Sequence, residues 1–317
     1  MSIDCLCAGI LVADHVCEPL DRLPAAGELM ITAGHRLSLG GCASNMALDL
    51  ARLGAKTGVA GCVGDDLFGR FIEQTLRDGG ANTDGVRRLP DVATASTMVI
   101  NVRGEDRRFI TAVGANVEFQ VGHIPADWLD RAKVLYVGGY FMMPSVNPDE
   151  LRALFANARA RGARTVLDVV LLGGESNLDD LARVLPETDV FLPNEDEAAM
   201  LLGETEPLAQ AEQFRRLGAG TVVITRGGEG ALLLSEDERL RCGIYDVELI
   251  GGTGAGDAFD AGYCFGLLEG EDPAGCLRWG SALGASCVRS AGATDSVFTR
   301  EEADAFMRDH PLTIERF

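Results

Sequence analysis

Positive charge is the scarcest property of this sequence. Its 317 residues include 28 Lys+Arg against 48 Asp+Glu, which gives a formal net charge of −20, and its two lysines are Lys56 and Lys133. Proteins that bind nucleic acids or anionic membrane surfaces do so with clustered positive charge. The composition therefore argues against both kinds of partner.

Long apolar runs are also missing. No stretch reaches the roughly 20 apolar residues that cross a bilayer, and residues 1–7 lack the basic region and apolar core of a secretory signal. The nine cysteines are scattered and odd in number, which favours reduced thiols over a disulfide framework. Cys5 and Cys7 share one side of a predicted strand, where buried thiols are favoured over a metal site. We therefore expect a cytoplasmic protein.

Glycine, in contrast, is abundant. It accounts for 39 of the 317 residues, whereas it usually makes up about 7% of a protein. Much of the chain alternates short β-branched segments, glycine or polar turns, and amphipathic segments. The predicted strands include 56–63, 134–137, 165–170, 190–192 and 221–225, and the predicted helices include 66–78, 148–161 and 258–268. Strands that are apolar on both faces and alternate with helices indicate an α/β fold, with a mostly parallel sheet covered on both sides.

Two segments depart from this pattern. Residues 30–39 alternate imperfectly, and residues 94–113 are typical of a hairpin with its turn at 103–106. Both have the composition of half-exposed antiparallel strands. They predict a small β-flap on the α/β core, which is either a plain structural addition or a lid that closes over a substrate.

The segment Gly251-Gly-Thr-Gly-Ala-Gly-Asp257 is the strongest indication of chemistry. Its glycines directly precede a predicted helix, so backbone N–H groups can point into one concavity at the positive helix end and bind an oxyanion without a lysine. Asp257 would place a carboxylate at the mouth of that site. This pairing suits phosphoryl transfer to a hydroxyl, because the amides stabilise the migrating group and the carboxylate accepts the alcohol proton.

Two familiar glycine motifs do not fit this segment. A P-loop has Lys-Ser/Thr after its last glycine, whereas Asp257-Ala258 follows here. The dinucleotide motif G-x-G-x-x-G has a different spacing and belongs to a first βα unit, whereas these glycines lie near the C-terminus. A tight turn before a capped helix remains the structural alternative.

A second glycine-rich segment contains Gly40 and Gly41 at the end of a strand-like stretch, with Asn45 in the helix-like stretch that follows. Small residues at such a point allow a ligand to approach the backbone closely. Asn45 would face that ligand. An ordinary turn between a strand and a helix is the alternative.

Taken together and in order, these motifs resemble those of the ribokinase-like, or PfkB, family of carbohydrate and nucleoside kinases. The similarity covers nearly the whole chain, at Gly9–Asp14, Pro24–Glu28, Gly40-Gly41 with Asn45, Leu53-Gly54, Val63–Gly69, Gly114–Asn116, Asn194–Glu197, Thr225–Gly230 and Gly254–Asp257. The resemblance implies a single domain over 1–317 with a ribokinase-like fold and a β-sheet lid built from about residues 15–38 and 95–113. It also places Asp14 at the end of the N-terminal strand.

The resemblance implies site residues position by position. The catalytic base is matched by Asp257, and the anion hole by Gly254, Ala255 and Gly256. Positions that hold sugar hydroxyls are matched by Asp14, Gly40, Gly41 and Asn45. Positions on the ATP side are matched by Asn194, Thr225, Gly227 and Gly230, and Glu197 matches a residue that organises magnesium through water. Taken alone, the segment from Asn194 to Glu197 is an ordinary capped, acidic helix start.

The sequence departs from the family pattern at several positions. Gly251 stands where potassium-activated members carry an aspartate, which makes activation by a monovalent cation doubtful. Residues 168–172 keep only Asp168 of an Asp-x-Asn-x-Arg pattern found in several sugar-specific members, so the acceptor stays undefined. Asp260 has no counterpart that assigns it a role, and we expect it at an exposed helix position.

The remaining polar candidates have weaker indications. His15 could touch the substrate because it follows Asp14, although a structural role is favoured. Arg103, Arg107 and Arg108 could meet a phosphate or carboxylate of the substrate, although a solvated hairpin turn is favoured.

These inferences predict an ATP-dependent kinase that uses magnesium and phosphorylates a hydroxymethyl group of a sugar or nucleoside. The alternative is a non-catalytic sensor of such a ligand on the same fold, against which the retained Asp257 and glycine triplet argue. A dinucleotide-dependent oxidoreductase is disfavoured by the glycine spacing. Exposed strand edges in the lid favour a homodimer formed through it.

Overall fold

Two β-sheets organise the chain, which a computed structural model describes for residues 3–105, 107–171 and 178–317. The strands in chain order are β1 (Cys5–Gly9), β2 (Val12–Cys17), β3 (His35–Gly40), β4 (Thr57–Gly64), β5 (Asn82–Leu89), β6 (Ser96–Ile100), β7 (Arg108–Ala112), β8 (Val134–Gly138), β9 (Arg164–Leu167), β10 (Val190–Phe191), β11 (Thr221–Thr225), β12 (Ala231–Leu234), β13 (Arg239–Cys242) and β14 (Ile314–Arg316). The larger sheet has the order β14-β13-β12-β11-β10-β9-β8-β1-β4-β5, and the smaller has the order β3-β2-β6-β7.

The larger sheet is parallel over most of its width. Every pairing from β5 through β4, β1, β8, β9 and β10 to β11 is parallel, whereas β12, β13 and β14 add an antiparallel end. Strands β1, β4 and β8 are buried along their whole length, as expected for strands covered on both faces. The predicted α/β architecture is therefore confirmed, although the strand expected over 165–170 ends at Leu167.

Helices cover this sheet. They are α1 (Cys42–Arg52), α2 (Leu67–Asp78), α3 (Ala126–Leu129), α4 (Pro148–Ala160), α5 (Leu178–Val184), α6 (Glu195–Leu202), α7 (Pro207–Arg216), α8 (Ala255–Glu269), α9 (Pro273–Cys287) and α10 (Arg300–Asp309). Helix α8 packs against α9 and α1, whereas α4 lies against β9 and α7 against β11. Across the described ranges, none of the helices combines the length and the apolarity that crossing a membrane requires.

The smaller sheet, which we call the lid, stands apart from the larger one. Its β2 pairs antiparallel with β3 and parallel with β6, and β6 pairs antiparallel with β7. Because side chains alternate along strands, the register produces two rows on opposite faces. The inner face carries the row Ser38, Asp14, Thr97 and Thr111, and the outer face carries the row Leu37, His15, Met98 and Ile110.

The start of the lid corrects the sequence interpretation. Asp14 lies inside β2 and not at the end of the N-terminal strand, because β1 already ends at Gly9 and the chain turns into a new strand at Val12. Gly9 makes this turn possible with φ 143°, a conformation that favours glycine. Residues 30–34 form no strand, and β3 begins only at His35.

Polar side chains fix the two points at which the chain enters the lid, one just before β2 and the other just before β6. Asn116 accepts a hydrogen bond from the Leu11 N–H and donates one to the Leu11 carbonyl, both at 3.1 Å. Asp66 accepts bonds from the backbone N–H and the hydroxyl of Thr94, at 2.8 and 2.7 Å. These contacts give two of the family-like motifs a structural task, since they anchor the base of the lid.

Candidate active site

The carboxyl-terminal ends of the parallel strands define the site. Asp168 directly follows β9, Asn194 follows β10, and Thr225 is the last residue of β11. Open α/β sheets bind their ligands in the crevice beyond such strand ends. The lid leaves from the same edge, because β2 begins shortly after β1 ends.

The glycine loop before α8 combines one position that excludes a side chain with one that is open. Gly254 is the N-cap of α8 with φ 78°, and an added Cβ would lie 2.6 Å from the Ala293 carbonyl oxygen, so a side chain is excluded here. At Gly256, no atom within the described ranges lies within 4 Å of an added Cβ. Because the first turn of a helix leaves N–H groups without helical acceptors, the loop can direct amides and the positive helix end toward a phosphate.

Asp257 lies in the first turn of α8 and is half-buried. Its Oδ2 accepts a hydrogen bond of 2.8 Å from Nδ2 of Asn45. Burial raises the pKa of Asp257, and hydrogen bonds from Asn45 and Cys42 oppose that rise. The structure thus brings both predicted glycine-rich segments together at one carboxylate.

A thiol and a second carboxylate lie beside Asp257. The Sγ atom of Cys42 and carboxylate oxygens of Asp168 and Asp257 all lie within 4.8 Å of one another. Burial, followed by the charges of Asp257 and Asp168, raises the pKa of Cys42 well above its usual value. Burial, followed by Glu197 and Asp257, likewise raises the pKa of Asp168. Negative charge is therefore crowded here, which favours uptake of a proton or a cation. The sequence interpretation missed Cys42, although its place directly after Gly41 was a usable signal.

Asp14 projects from the inner face of the lid and is only 7% exposed. Burial, followed by the charge of Asp257, raises the pKa of Asp14 to about 7, and a hydrogen bond from Thr97 opposes that rise. Gly40 passes so close that a Cβ there would overlap the Asp14 carboxylate. The predicted acceptor-side residues thus surround the same space as Asp257.

The turn from the lid into α1 depends on Gly41. It is the N-cap of α1 with φ 89°, and an added Cβ would lie 2.6 Å from the Ile10 carbonyl oxygen. The Ser44 hydroxyl donates to the carbonyl groups of Gly40 and Gly41. This tight turn places the first residues of α1, including Asn45, against the site.

The predicted nucleotide-side residues lie on adjacent strand ends. Asn194 and Thr225 form an isolated parallel bridge, and the Thr225 N–H donates to the Pro193 carbonyl at 3.2 Å. Gly227 and Gly230 follow in the loop after β11, with φ of 50° and 83°. The structure therefore brings Asn194 together with the glycine loop that follows Thr225.

Asn194 and Glu197 cap α6, and Glu197 also lies near enough to Asp168 and Asp257 for their charges to interact. Asn194 Oδ1 accepts a 2.8 Å bond from the Glu197 N–H, and Glu197 Oε2 accepts a 3.0 Å bond from the Asn194 N–H. The capped helix start is thus present. Burial raises the pKa of Glu197 to about 7, with a further rise from Asp257, against the lowering effect of the Asn194 N–H.

Asp260 is buried, which contradicts the prediction that it lies at an exposed helix position. It is 3% exposed, and its Oδ2 accepts a 3.1 Å hydrogen bond from the Tyr136 hydroxyl. Burial, followed by Asp168 and Asp257, raises its pKa well above the usual value. The helix is buried on all faces from Ala258 to Gly266, and apolar residues around every face of a helix indicate such burial.

Three of the weaker candidates, His15, Cys5 and Cys7, have structural surroundings. His15 packs edge-on against Phe68, with ring centroids 4.9 Å apart, as expected for a structural role. Cys5 and Cys7 are buried free thiols with sulfur atoms 3.7 Å apart, as predicted.

The three arginines of the hairpin have different surroundings. Arg103 pairs with Asp21 at 3.2 Å and Arg108 pairs with Glu105, all on exposed surface. Arg107 instead lies against Gly252, inside the glycine loop before α8. The solvated-turn interpretation therefore holds for Arg103 and Arg108 and is wrong for Arg107.

Comparison with known proteins agrees with this architecture. The model of the pfkB family carbohydrate kinases matches residues 2–300. A ribokinase of Haemophilus influenzae is 25% identical over 304 residues, covering 94% of this chain and 96% of that protein. The 5-dehydro-2-deoxygluconokinase 1 of Bacillus cereus is 26% identical over 312 residues, covering 94% of each chain.

The structure of Arabidopsis thaliana ribokinase complexed with ribose and ATP superimposes on this chain with a TM-score of 0.83 at 24% identity, covering 97% of this chain and 99% of that one. The chain belongs to the pfkB family of carbohydrate kinases.

Proposed function

We propose that this protein transfers the γ-phosphoryl group of ATP to a hydroxymethyl group of a sugar or nucleoside. The observation that carries the proposal is the 2.8 Å hydrogen bond between Asn45 and Asp257, because it joins the acceptor-side segment to the carboxylate of the anion loop. Two relatives support sugar kinase activity in general, since one is named a ribokinase and another a 5-dehydro-2-deoxygluconokinase.

Asp257 acts as the general base in this proposal. The acceptor oxygen forms a bond to the γ-phosphorus, the bond from that phosphorus to the bridging oxygen of ATP breaks, and the hydroxyl proton passes to Asp257. ADP leaves with the electron pair of the broken bond. The raised pKa of Asp257 makes its carboxylate a stronger proton acceptor than an exposed one, and Asn45 holds it in place.

The anion hole consists of the backbone at Gly254, Ala255 and Gly256. Amides at the start of α8 stabilise charge on the phosphoryl oxygens during transfer, and they need no reorganisation to do so. ATP lies along Asn194, Thr225, Gly227 and Gly230, where the loop after β11 offers backbone groups and the Thr225 hydroxyl. This arrangement lets a strongly acidic protein bind an anionic co-substrate with few lysines.

The acceptor lies between the lid and α1. Asp14 and Asn45 offer polar groups to its hydroxyls, and Gly40 and Gly41 let it approach the backbone. Closure of the lid over this space excludes water, which limits idle hydrolysis of ATP.

Magnesium fits the donor set of the site. Glu197 and Asp257 lie close enough to raise the pKa of Asp168, and Asp257 lies close enough to raise that of Glu197. Such an oxygen-rich, negatively charged setting suits a hard cation. Glu197, with Asp168 nearby, would hold the ion through its water shell. When bound, magnesium supplies positive charge that offsets the phosphates of ATP.

A potassium requirement is not expected. An added Cβ at Gly251 would lie 2.8 Å from the Ser290 carbonyl oxygen, so this loop has no room for an acidic side chain at that position. The loop therefore lacks a charged ligand for a monovalent cation at residue 251.

Magnesium-dependent release of ADP across a panel of sugars and nucleosides tests the proposal. We expect one acceptor class to stimulate ADP release strongly, to the same extent in potassium and in tetramethylammonium chloride. Tight binding of a panel member without any ADP release would instead identify a sensor and overturn the proposal.

A further inference from the structure

A thiol lies between two carboxylates of the site. The Sγ atom of Cys42 and one carboxylate oxygen each of Asp168 and Asp257 all lie within 4.8 Å of one another. In a tetrahedral zinc centre, a cysteine sulfur about 2.3 Å from the metal and a carboxylate oxygen about 2.1 Å from it are about 3.6 Å apart. The three ligand atoms therefore need only a small contraction to share one cation.

The three side chains come from separate elements, and local contacts hold them in place. Cys42 is the first residue of α1, and an added Cβ at Gly138 would lie 2.7 Å from the Cys42 Cβ, so the end of β8 packs directly against the carbon that carries the thiol. Asp168 Oδ2 accepts a 3.1 Å hydrogen bond from the Gly139 N–H, which fixes the direction of that carboxylate. Partners that orient the ligands in this way raise the affinity of a metal site.

An oxygen without a hydrogen-bond partner borders the same cluster. Asn45 is 2% exposed, and within the described ranges its Oδ1 has no partner. The Nδ2 atom of the same amide donates to Asp257, so Oδ1 lies beside that carboxylate. Buried polar atoms normally have a partner, and a half-turn of an amide exchanges its oxygen and nitrogen. A fourth oxygen donor is therefore available for a tetrahedral centre.

The charges that act on this cluster are negative. Burial, followed by Asp257 and Asp168, raises the pKa of Cys42, and burial, followed by Glu197 and Asp257, raises the pKa of Asp168. Buried charges of one sign are costly unless a group of opposite charge accompanies them. A divalent cation that displaces the thiol proton would supply that opposite charge.

The sulfur atom determines which cation this cluster selects. Magnesium prefers oxygen ligands in octahedral geometry and keeps several water molecules, which agrees with its proposed place near Glu197. A thiolate ligand instead favours zinc and chemically similar ions. Cys42 therefore distinguishes this cluster from the magnesium site, although Asp168 lies near both.

We propose that Cys42, Asp168 and Asp257 form a zinc site whose occupation blocks phosphoryl transfer. Binding forms a bond between the Cys42 sulfur and the metal, releases the thiol proton to solvent, and engages a carboxylate oxygen of Asp257. A carboxylate bound to the metal in this way cannot accept the hydroxyl proton of the acceptor. The binding of zinc is independent of the proposed kinase function, whereas the inhibition rests on it.

Cobalt(II), a coloured substitute for zinc, tests the site directly in the full chain without nucleotide or magnesium and with a phosphine reductant. We expect a thiolate-to-cobalt charge-transfer band in the near ultraviolet, which added zinc removes by displacement. Both Cys42→Ser and Cys42→Ala should lose the band and bind zinc about 100-fold or more weakly. A wild-type protein that binds cobalt without this band would overturn the inference.

Cys17 provides the matched control. Of the nine cysteines, all of which lie in the described ranges, it is the only one that is not buried, and its Sγ lies 3.3 Å from the Glu18 carbonyl oxygen in the lid. Cys17→Ser should keep the cobalt band and the zinc affinity of the wild type. Loss of the band in Cys17→Ser would place the metal at this thiol and contradict the proposed site. Equal zinc affinity of Cys42→Ser and wild type would mean that the carboxylates alone hold the ion, which also contradicts it.

ADP release with the acceptor that the panel assay identifies tests the inhibition. Magnesium is kept in excess, a metal buffer sets the concentration of free zinc, and each variant is compared with its own rate without zinc. We expect zinc to raise the apparent acceptor KM of the wild type and to leave the apparent KM for ATP nearly constant, because the acceptor hydroxyl and the metal compete for Asp257. Cys42→Ser should need about 100-fold more zinc for the same inhibition.

The zinc site and the proposed function can fail separately. A cobalt band that depends on Cys42, in a protein that releases no ADP with any acceptor, would support the site and overturn the kinase function. Acceptor-dependent ADP release that zinc inhibits equally in wild type and Cys42→Ser would support the function and overturn the inhibitory site.

Discussion

Asn45 and Asp257 are 212 positions apart in the chain, yet the Asn45 amide donates a 2.8 Å hydrogen bond to the Asp257 carboxylate. Each residue lies near the start of a helix, and those two helices, α1 and α8, pack against each other. The helix pair therefore sets the distance between the acceptor-side turn and the anion loop. Because packed helices are stiff, this contact preorganises the proposed base before any ligand binds.

Asp257→Asn should remove most of the activity without removing the nucleotide site. The amide cannot accept the hydroxyl proton, so we expect kcat to fall by about 10³-fold, while the dissociation constant of ATP changes less than about threefold. Steady-state kinetics and calorimetric titration with ATP measure the two quantities. Turnover of the variant within about threefold of wild type would exclude Asp257 as the base.

The sequence predicts the fold well because its periodicity is strong. Strands such as Thr221–Thr225 are continuous apolar runs, and their burial follows directly from that pattern. Helix ends follow from glycine and capping residues, as at Asn194 before α6. The prediction placed Asp14 at the end of the N-terminal strand because two apolar stretches, which the turn at Gly9 separates, look like a single strand in the sequence.

The chemistry that sequence reasoning missed depends on tertiary distances. Asp260 was expected to be exposed, and only the packing of α8 against its neighbours shows that it meets Tyr136. Arg107 is indistinguishable from Arg108 as a sequence position in a charged hairpin. Strand alternation turns one toward Gly252 and the other toward solvent, and the register of the lid is not readable from the hairpin alone.

Gly40→Ala should weaken acceptor binding selectively. A Cβ at Gly40 would overlap the Asp14 carboxylate and push it out of the acceptor space, so we expect the acceptor KM to rise about tenfold or more and the KM for ATP to stay nearly constant. Gly122→Ala is the matched control, because in the described ranges no atom lies within 4 Å of its added Cβ and its φ is not positive. Equal acceptor KM values in the two variants would contradict the role of Asp14.

The stability of the ligand-free protein should depend on pH through Asp14. Its pKa rises from 3.8 to about 7 in the folded chain, so between about pH 4 and pH 7 the folded protein holds a proton that the unfolded chain releases. At about pH 4 this bound proton makes its full contribution to the free energy of unfolding, which is roughly 4 kcal/mol. The contribution is lost as the pH rises toward 7.

Asp14→Asn isolates that contribution, because an amide does not titrate. We expect the variant and the wild type to have similar urea midpoints near pH 4, and the variant to be more stable at pH 8. Urea unfolding at a series of pH values, without nucleotide or magnesium, measures the difference. Parallel curves for the two proteins would show that Asp14 is not held protonated.

The outer face of the lid should mediate pairing with a second copy of the chain. Leu37, Met98 and Ile110 lie in one row across three strands and are 40%, 54% and 60% exposed, and β7 is an edge strand. Apolar side chains next to an unpaired strand edge favour association.

Sedimentation velocity tests this pairing. We expect a dimer at micromolar concentration, and we expect Met98→Glu and Ile110→Glu to shift it to monomer. Ile244→Glu, at a 54% exposed position outside the lid, is the control and should leave the dimer intact. A wild-type protein that sediments as a monomer at these concentrations would rule the lid out as a stable interface.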